Sequence, residues 1–481
     1  MKKDRTGTRS RRTRLTLGGI AALAAVTGLA ACSSASSSPA PAASSAPGAS
    51  GTSTASAASA SPSASSSVTV EAGANCSSSS AVKITFWAWV PGLGRAVTAF
   101  NQSHPGICVT QEDVGAGDPE YVAITNALKA GSGAPDVAEV EYDELPSFIV
   151  TKSVDNLVPY GANSYKSDFV PWAWQEVSQG PAVYAIPGDA GPMAFYYNSA
   201  LLAKYHITPP TTWAGFATAA AALHKDDPSA YMTNFSAVDL QWIMSLMAQD
   251  GAWPFSYAGG SNVTINWTGP KQMAFAQYWQ NLLSAHEVNA TTDVSATSFA
   301  DMDKGIDASW LSSAWGPSYF LPDAKSSLGD WRATDLPQWT AGANVAANWG
   351  GSSYPVFAQS QHPKEAAEFA EWLNATTASW NITKTAPSLL FPTYVPLLND
   401  PSYKDLNNPL SGTSNPNVAF TGAASNISSD EWPPFMTEAL NEASTVFAGV
   451  MNGKATLQSA FTSFQGVLVN YAKQQGFTVS T

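Results

Sequence analysis

Acids and aromatic rings crowd one short stretch of this chain. Glu139-Val140-Glu141-Tyr142-Asp143 sets three carboxylates at alternate positions with a phenol between the last two. In an extended segment, period-two geometry turns Glu139, Glu141 and Asp143 to one side and Tyr142 to the other. Trp87 and Trp89 alternate in the same way at the end of an apolar run, and Trp242 and Trp253 flank the turn Gln249-Asp250-Gly251. Carboxylates accept hydrogen bonds from hydroxyls, and flat rings cover patches of C–H, so these types together suit a polyhydroxylated ring compound. A pair of carboxylates about 5–5.5 Å or 6.5–9.5 Å apart would instead serve glycoside hydrolysis. Three acids on one strand face are also the ordinary pattern of solvation, and each tryptophan has an alternative reading as core. Trp172, Trp174, Trp267, Trp279, Trp372 and Trp380 fall on helical or linking segments and read as packing.

Other chemistries lack their residues. No Gly-x-Ser-x-Gly elbow argues for acyl transfer, and no Walker A motif argues for nucleotide binding. The five histidines stand singly, without H-E-x-x-H or C-x-x-C spacing, so no metal site and no cofactor are expected. Seven of the 23 Lys and Arg and one of the 36 acids precede the first apolar run; the remainder carries 16 basic against 35 acidic residues, a balance of −19. Such a body repels phosphate backbones and disfavours nucleic acid as a partner.

The positioning elements must come from a chain of 481 residues, 44% apolar and 12% charged, long enough for two to four units with cores of their own. Its start reads as an export signal: Lys2 to Arg14 is basic, Leu15 to Ala31 carries no charge, and Leu29-Ala30-Ala31-Cys32 follows with small residues before a cysteine. That tetrad resembles the bacterial lipobox, which implies cleavage after residue 31 and a diacylated Cys32; the alternative is an ordinary cleavage with Cys32 incidental. Arg11-Arg12 leaves the export route open between the general and the twin-arginine pathways. Ser33 to Ser67 contains only Ser, Ala, Pro, Gly and Thr. A flexible tether of that length reaches about 33 Å and forms no core. With Cys32 lipidated, Cys76 and Cys108 remain as a possible disulfide in an oxidising setting, worth between about 3 and 4.7 kcal/mol; the alternative is two free buried thiols.

Val82 to Trp87 alternates and reads as a strand, Arg95 to Gln102 as a helix, Ile107 to Thr110 as a second strand, Tyr121 to Ala130 as a helix and Pro135-Asp136-Val137 as the opening of a third strand. That succession implies right-handed crossovers and a parallel sheet. The run from Val82 to Leu157, with Pro135-Asp136-Val137 and Val154-Asp155-Asn156-Leu157, resembles the extracellular solute-binding proteins of ABC sugar importers, the maltose-binding-like family. Tyr184-Ala185-Ile186-Pro187 followed by Phe195-Tyr196-Tyr197-Asn198 resembles that family's domain-crossing segment, and Pro209-Pro210-Thr211-Thr212-Trp213 its helix start, where a Thr caps and a Trp packs. Lys304-Gly305, Ala314-Trp315-Gly316-Pro317, Trp349-Gly350-Gly351-Ser352 and Pro363 to Phe369 continue the likeness in the family's order.

The resemblance implies an α/β, two-lobed periplasmic-binding-protein-like fold of type II, with two βαβ sheets joined by a multi-strand hinge around a cleft. The expected divisions are a signal peptide (1–31), a lipidated N-terminus and tether (32–79), lobe one (80–190 plus 348–392) and lobe two (191–347 plus 393–481). It implies a sugar or oligosaccharide ligand, the membrane subunits of an ABC permease as partners, attachment to the extracytoplasmic face of the cell membrane through the lipid alone, a monomer, and no catalysis. By position Glu141, Tyr142 and Asp143 match the family's ligand-contacting loop. Trp310, Trp315, Trp349, Tyr394 and Trp432 fall near further contact segments of that family, and Trp89 off the first strand, Asp189 in the crossing, Trp253 beside its turn and Gly350 after Trp349 complete the candidate ligand contacts. A secreted glycoside hydrolase or a carbohydrate-binding surface adhesin is the alternative.

Overall fold

The computed structural model describes residue 76 and residues 78–385, 387–428 and 430–481; the expected signal peptide, Cys32 and most of the tether lie outside them. Strand β1 (Val82–Trp87) forms because alternate residues Ile84 and Phe86 reach the core at 1% and 0% exposure. Helix α1 (Leu93–Ser103) carries the chain to β2 (Ile107–Glu112), which lies parallel to β1 with Val82 opposite Ile107. Helix α2 (Asp118–Ala130) then leads to β3 (Val137–Ala138), parallel on the other side of β1. Gly131, at φ 74, ends α2 in the left-handed region that a residue with a β-carbon rarely adopts. Cys76 and Cys108 are joined as a disulfide, with their Cα atoms 5.3 Å apart.

The parallel crossovers expected from the sequence hold for these three strands, whereas the strands at and around the crossing pair antiparallel. After β4 (Val140–Glu141) and helix α3 (Leu145–Val150), the chain reaches β5 (Ala185–Pro187) and β6 (Met193–Asn198). Helix α4 (Trp213–Asp226) starts as the sequence implied: Thr212 accepts the Gly215 amide at 3.0 Å, and Trp213 is 1% exposed. Helix α5 (Leu240–Gln249) follows, and then β7 (Ser309–Ser313) and β8 (Trp331–Thr334) pair with the two edges of β6, both antiparallel. The direction has a simple cause: β6 leaves the crossing, and β7 runs back toward it, so Ser313 lies opposite Met193. Strand β9 (Ser352–Pro355) likewise returns from the far side and runs antiparallel to both β4 and β5. Helix α6 (Pro363–Asn374) packs its buried face on the first sheet's core, and α7 (Met436–Val446) and α8 (Leu457–Gln474) pack on the second.

Buried apolar side chains fall into two clusters, and β6 divides between them, giving Ala194 and Tyr196 to the first and Met193 and Phe195 to the second. The first cluster continues past the crossing through a chain of rings, Tyr403 and Phe420 at 5.8 and 6.2 Å from Phe391 and Phe420 at 5.7 Å from Tyr196. At the crossing, residues 188–193 form the middle of three extended segments. The Gly188 amide donates to Ser352 O at 2.9 Å, the Trp349 amide to Gly191 O at 2.8 Å and the Met193 amide to Ala347 O at 2.9 Å. On the other edge, the Ala190 amide donates to Phe391 O at 2.8 Å and the Thr393 amide to Gly188 O at 3.2 Å. Gly191 is required there, because a β-carbon would strike the Trp349 carbonyl. Among the described residues no helix is long and apolar enough to cross a membrane.

Candidate ligand-binding cleft

A cavity of about 240 Å³ opens against this crossing, and its walls come from both sides of the chain's exchange. The first wall is set by the end of β1. There the amides of Trp89 and Val90 both donate to Glu139 Oε2 at 3.2 Å, while Ser352 Oγ donates to Glu139 Oε1 at 3.0 Å. Glu139, fully buried, is thus the clamp that fixes the Trp89 loop to the strand beside it. The Trp89 ring is steadied edge-on by Tyr121, 6.0 Å away. Tyr121 also donates its hydroxyl to Glu141 Oε2 at 3.1 Å and accepts the Glu141 amide at 3.1 Å, which leaves Glu141 Oε1 on the cavity side.

The facing wall comes from the segment after β7 and from the returning strand. Trp315 donates its indole N–H to Trp349 O at 2.8 Å, and the two rings lie 4.6 Å apart at 57°. Tyr319, one helical turn on and 41% exposed, meets Trp315 at 5.5 Å and forms the rim. Gly350 and Gly351 take φ of 72° and 101°; a β-carbon on Gly351 would lie 2.8 Å from Asp189 O, so the close approach of strand to crossing needs glycine. Asp189, 4% exposed, accepts the Ser352 amide on Oδ1 at 3.0 Å. Asp239, which caps α5 by accepting the Trp242 amide at 2.9 Å, and Gln241 beside it complete the lining.

Of the twelve ligand contacts expected from the sequence, the cavity brings together Trp89, Glu141, Asp189, Trp315, Trp349 and Gly350, and Glu139 of the same acidic run lines it with them. Asp143 sits just behind it: the chain turns after Glu141, so the side chain leaves the face it was expected to share and instead accepts Gln241 Nε2 at 2.6 Å. The other five lie elsewhere. Tyr142 is 3% exposed, donates to Asp189 O at 3.2 Å and packs on Trp172. Trp310, the second residue of β7, is 1% exposed and donates to Asp293 at 2.9 Å. Tyr394 pairs with Phe169. Trp253 and Trp432 meet edge to face at 4.6 Å, and Trp432 donates to Glu176 at 3.2 Å. Sequence reading missed Tyr319, Gln241 and Asp239. The i,i+4 spacing from Trp315 marks Tyr319, and the Asp-x-Gln start of a helix marks the other two.

Burial raises the cleft acids. Glu139 is pushed up to about 8, by burial and then by the Asp189 charge, and Asp189 and Asp239 to about 7, chiefly by burial. Glu141 lies well above the usual carboxylate range through burial and the neighbouring Asp143. Asp143 rises less, to about 6, because the Gln241 bond opposes its desolvation. No Lys, Arg or His is among the residues lining the cavity.

Two lobes joined by three hydrogen-bonded segments, with an acid- and ring-lined cavity against the joint, define a hinged ligand-capturing protein. The chain belongs to the bacterial extracellular solute-binding protein family, whose model matches residues 89–379. An arabinooligosaccharide-binding protein of Halalkalibacterium halodurans is 24% identical over 303 residues, 60% of this chain and 66%, just under two thirds, of that one. A lactose-binding protein of Rhizobium radiobacter is 26% identical over 314 residues, 61% of this chain and 71% of that one. Among solved structures, the ABC transporter associated binding protein from B. animalis subsp. lactis Bl-04, in complex with β-1,6-galactobiose, superposes with a TM-score of 0.73 at 29% identity, covering 83% of this chain and 100% of that one.

Proposed function

We propose that this protein captures a sugar or oligosaccharide between its lobes and delivers it to the membrane subunits of an ABC importer, without chemical change to the ligand. The observation that carries this reading is the cavity at the crossing, where Trp89, Trp315 and Trp349 offer flat faces and Glu141, Asp189 and Asp239 offer acceptors for ring hydroxyls. In the open form the ligand meets one lobe; closure brings the second wall onto it, and the closed population rises by the ligand's differential affinity for that form. Lobe one is assigned to 80–190 plus 348–392 and lobe two to 191–347 plus 393–481. Cys32 carries the lipid that holds a monomer at the extracytoplasmic face of the cell membrane, with residues 33–67 as tether.

A thermal-shift screen against mono- and oligosaccharides tests the reading, since a ligand of the native state raises its stability by RT ln(1 + [L]/Kd). Intact sugar recovered from a saturated sample separates a receptor from a hydrolase, and a screen with no stabilising sugar ends the proposal. Membrane fractionation of cells making Cys32→Ala tests the anchor: the variant is expected in the soluble fraction, and unchanged membrane association refutes it.

A further inference from the structure

The cleft's charge is one-sided. Glu139, Glu141, Asp189 and Asp239 line a single cavity, Asp143 stands behind them, and the lining includes no basic side chain to balance them. Hydrogen bonds account for only part of this set. Glu139 uses both its oxygens on Trp89, Val90 and Ser352. Asp189, although 4% exposed, has one such bond, at Oδ1, and Glu141 receives Tyr121 on Oε2 alone. A β-carbon on Gly350 would lie 3.7 Å from Glu141 Oε1 and 3.3 Å from Trp315 Nε1, so that oxygen and the indole edge face each other across a position with no side chain.

We propose that the ligand of this cleft carries a protonated amine, that is, an amino sugar or an oligosaccharide containing one, with the ammonium lodged between Glu141, Asp189 and the rings of Trp89 and Trp315. The inference rests on the sugar-receptor reading above and narrows it. The burial that raises these acids makes ionising them side by side costly, and a neutral sugar, which only donates hydroxyl hydrogen bonds, does nothing to offset that cost. An ammonium donates as well and also cancels charge, in an enclosure where charges interact more strongly than in water. Ring faces add to this, because their quadrupoles attract cations. A bare metal ion fits less well, since among the described residues no three His, Cys, Asp or Glu converge closely enough to hold one. The acidic body, at a balance of −19 beyond the basic leader, draws cations toward the cleft at long range.

The test is calorimetric titration of the intact exported protein with matched sugars: glucosamine against glucose, galactosamine against galactose, and deacetylated chitobiose against its N-acetylated form. The amine of at least one pair is expected to bind about tenfold or more tighter than its neutral partner, with an advantage that shrinks in added salt. Glu141→Gln should remove most of that advantage, and Asp239→Asn, which keeps the helix cap, should reduce it with the melting temperature unchanged. Neutral partners binding as tightly as the amines overturn the inference and leave the sugar reading standing. An amine preference that both variants keep in full overturns the placement of the charge. Failure of every sugar, amine and neutral, to release heat or raise the melting temperature overturns both.

Discussion

Thr437→Val probes the closing of the lobes at a point that ligand does not touch. Thr437 stands at the start of α7, on the second core, and donates its hydroxyl at 2.8 Å to Oε2 of Glu144, which precedes α3 on the first core. Glu144 is 1% exposed, its Oε1 has no hydrogen-bond partner, and burial raises its carboxyl to about 8. The bond exists only when the two sides meet; once they part, water serves both groups. Removing the hydroxyl in favour of an isosteric methyl leaves that buried oxygen only a long 3.3 Å contact from Ser147 Oγ, whose hydrogen the Glu144 carbonyl already holds at 2.6 Å, so the acceptor is poorly satisfied in the closed form, at a cost of about 1–3 kcal/mol. The closed-to-open ratio then falls by about fivefold to about 150-fold, and the apparent Kd for sugar rises by up to that factor. The open form remains folded, so the unliganded melting temperature should move little. Sugar titration followed by tryptophan fluorescence, with small-angle scattering of the unliganded variant, reads both effects. An unchanged Kd beside an early unfolding transition would refute the reasoning, because the bond would then belong to the fold and not to closure. Gln241→Ala, which removes the 2.6 Å bond to Asp143, should act in the same direction but includes any direct loss of ligand contact.

Trp315→Ala and Trp310→Ala should part company although they are five residues apart: the first is expected to weaken sugar binding about tenfold or more with a near-normal melting temperature, and the second to cost about 3–5 kcal/mol of stability, as calorimetry and titration would show. Reducing the Cys76–Cys108 bond, which closes a separation of 32 residues, should cost about 3.7 kcal/mol in the chain-entropy account while sugar affinity holds; an unchanged melting temperature after reduction would count against it. The unliganded protein should lose stability as pH rises from about 6 to about 8. Asp143, Asp189, Asp239, Glu139 and Glu144 hold protons in the folded state that the unfolded chain releases near its ordinary 3.8 to 4.5, so the native state binds more protons across that window. A melting temperature that is flat or rising from pH 6 to 8 would contradict this.

Local pattern made the first sheet legible. Period-two alternation in Val82–Trp87, the helix between two strands and the Thr212–Trp213 start of α4 are decided within a few residues of themselves. Trp89, Trp315 and Trp349 were readable as cleft candidates because the first follows a strand end, the second opens a Gly-Pro turn and the third precedes a glycine pair. Trp310 was not separable from Trp315 by the same means: all five residues of β7 are buried, so alternation along that strand carries no sign of which face meets the cavity. Trp432 finds Glu176 across 256 positions, a partnership no local spacing encodes. Asp143 departs from its expected face because the strand ends at Glu141, and strand ends are set by what the next segment packs on.

The three segments at the crossing lie edge to edge, joined by backbone hydrogen bonds on both sides of residues 188–193. A ribbon of this build flexes out of its own plane and resists shear within it, which leaves the halves essentially one rotational degree of freedom. A hinge restricted to one angle ends its travel at the same outline whatever small differences the captured molecule has. The outer surface of the closed form is thereby standardised, while the interior remains free to vary in what it holds.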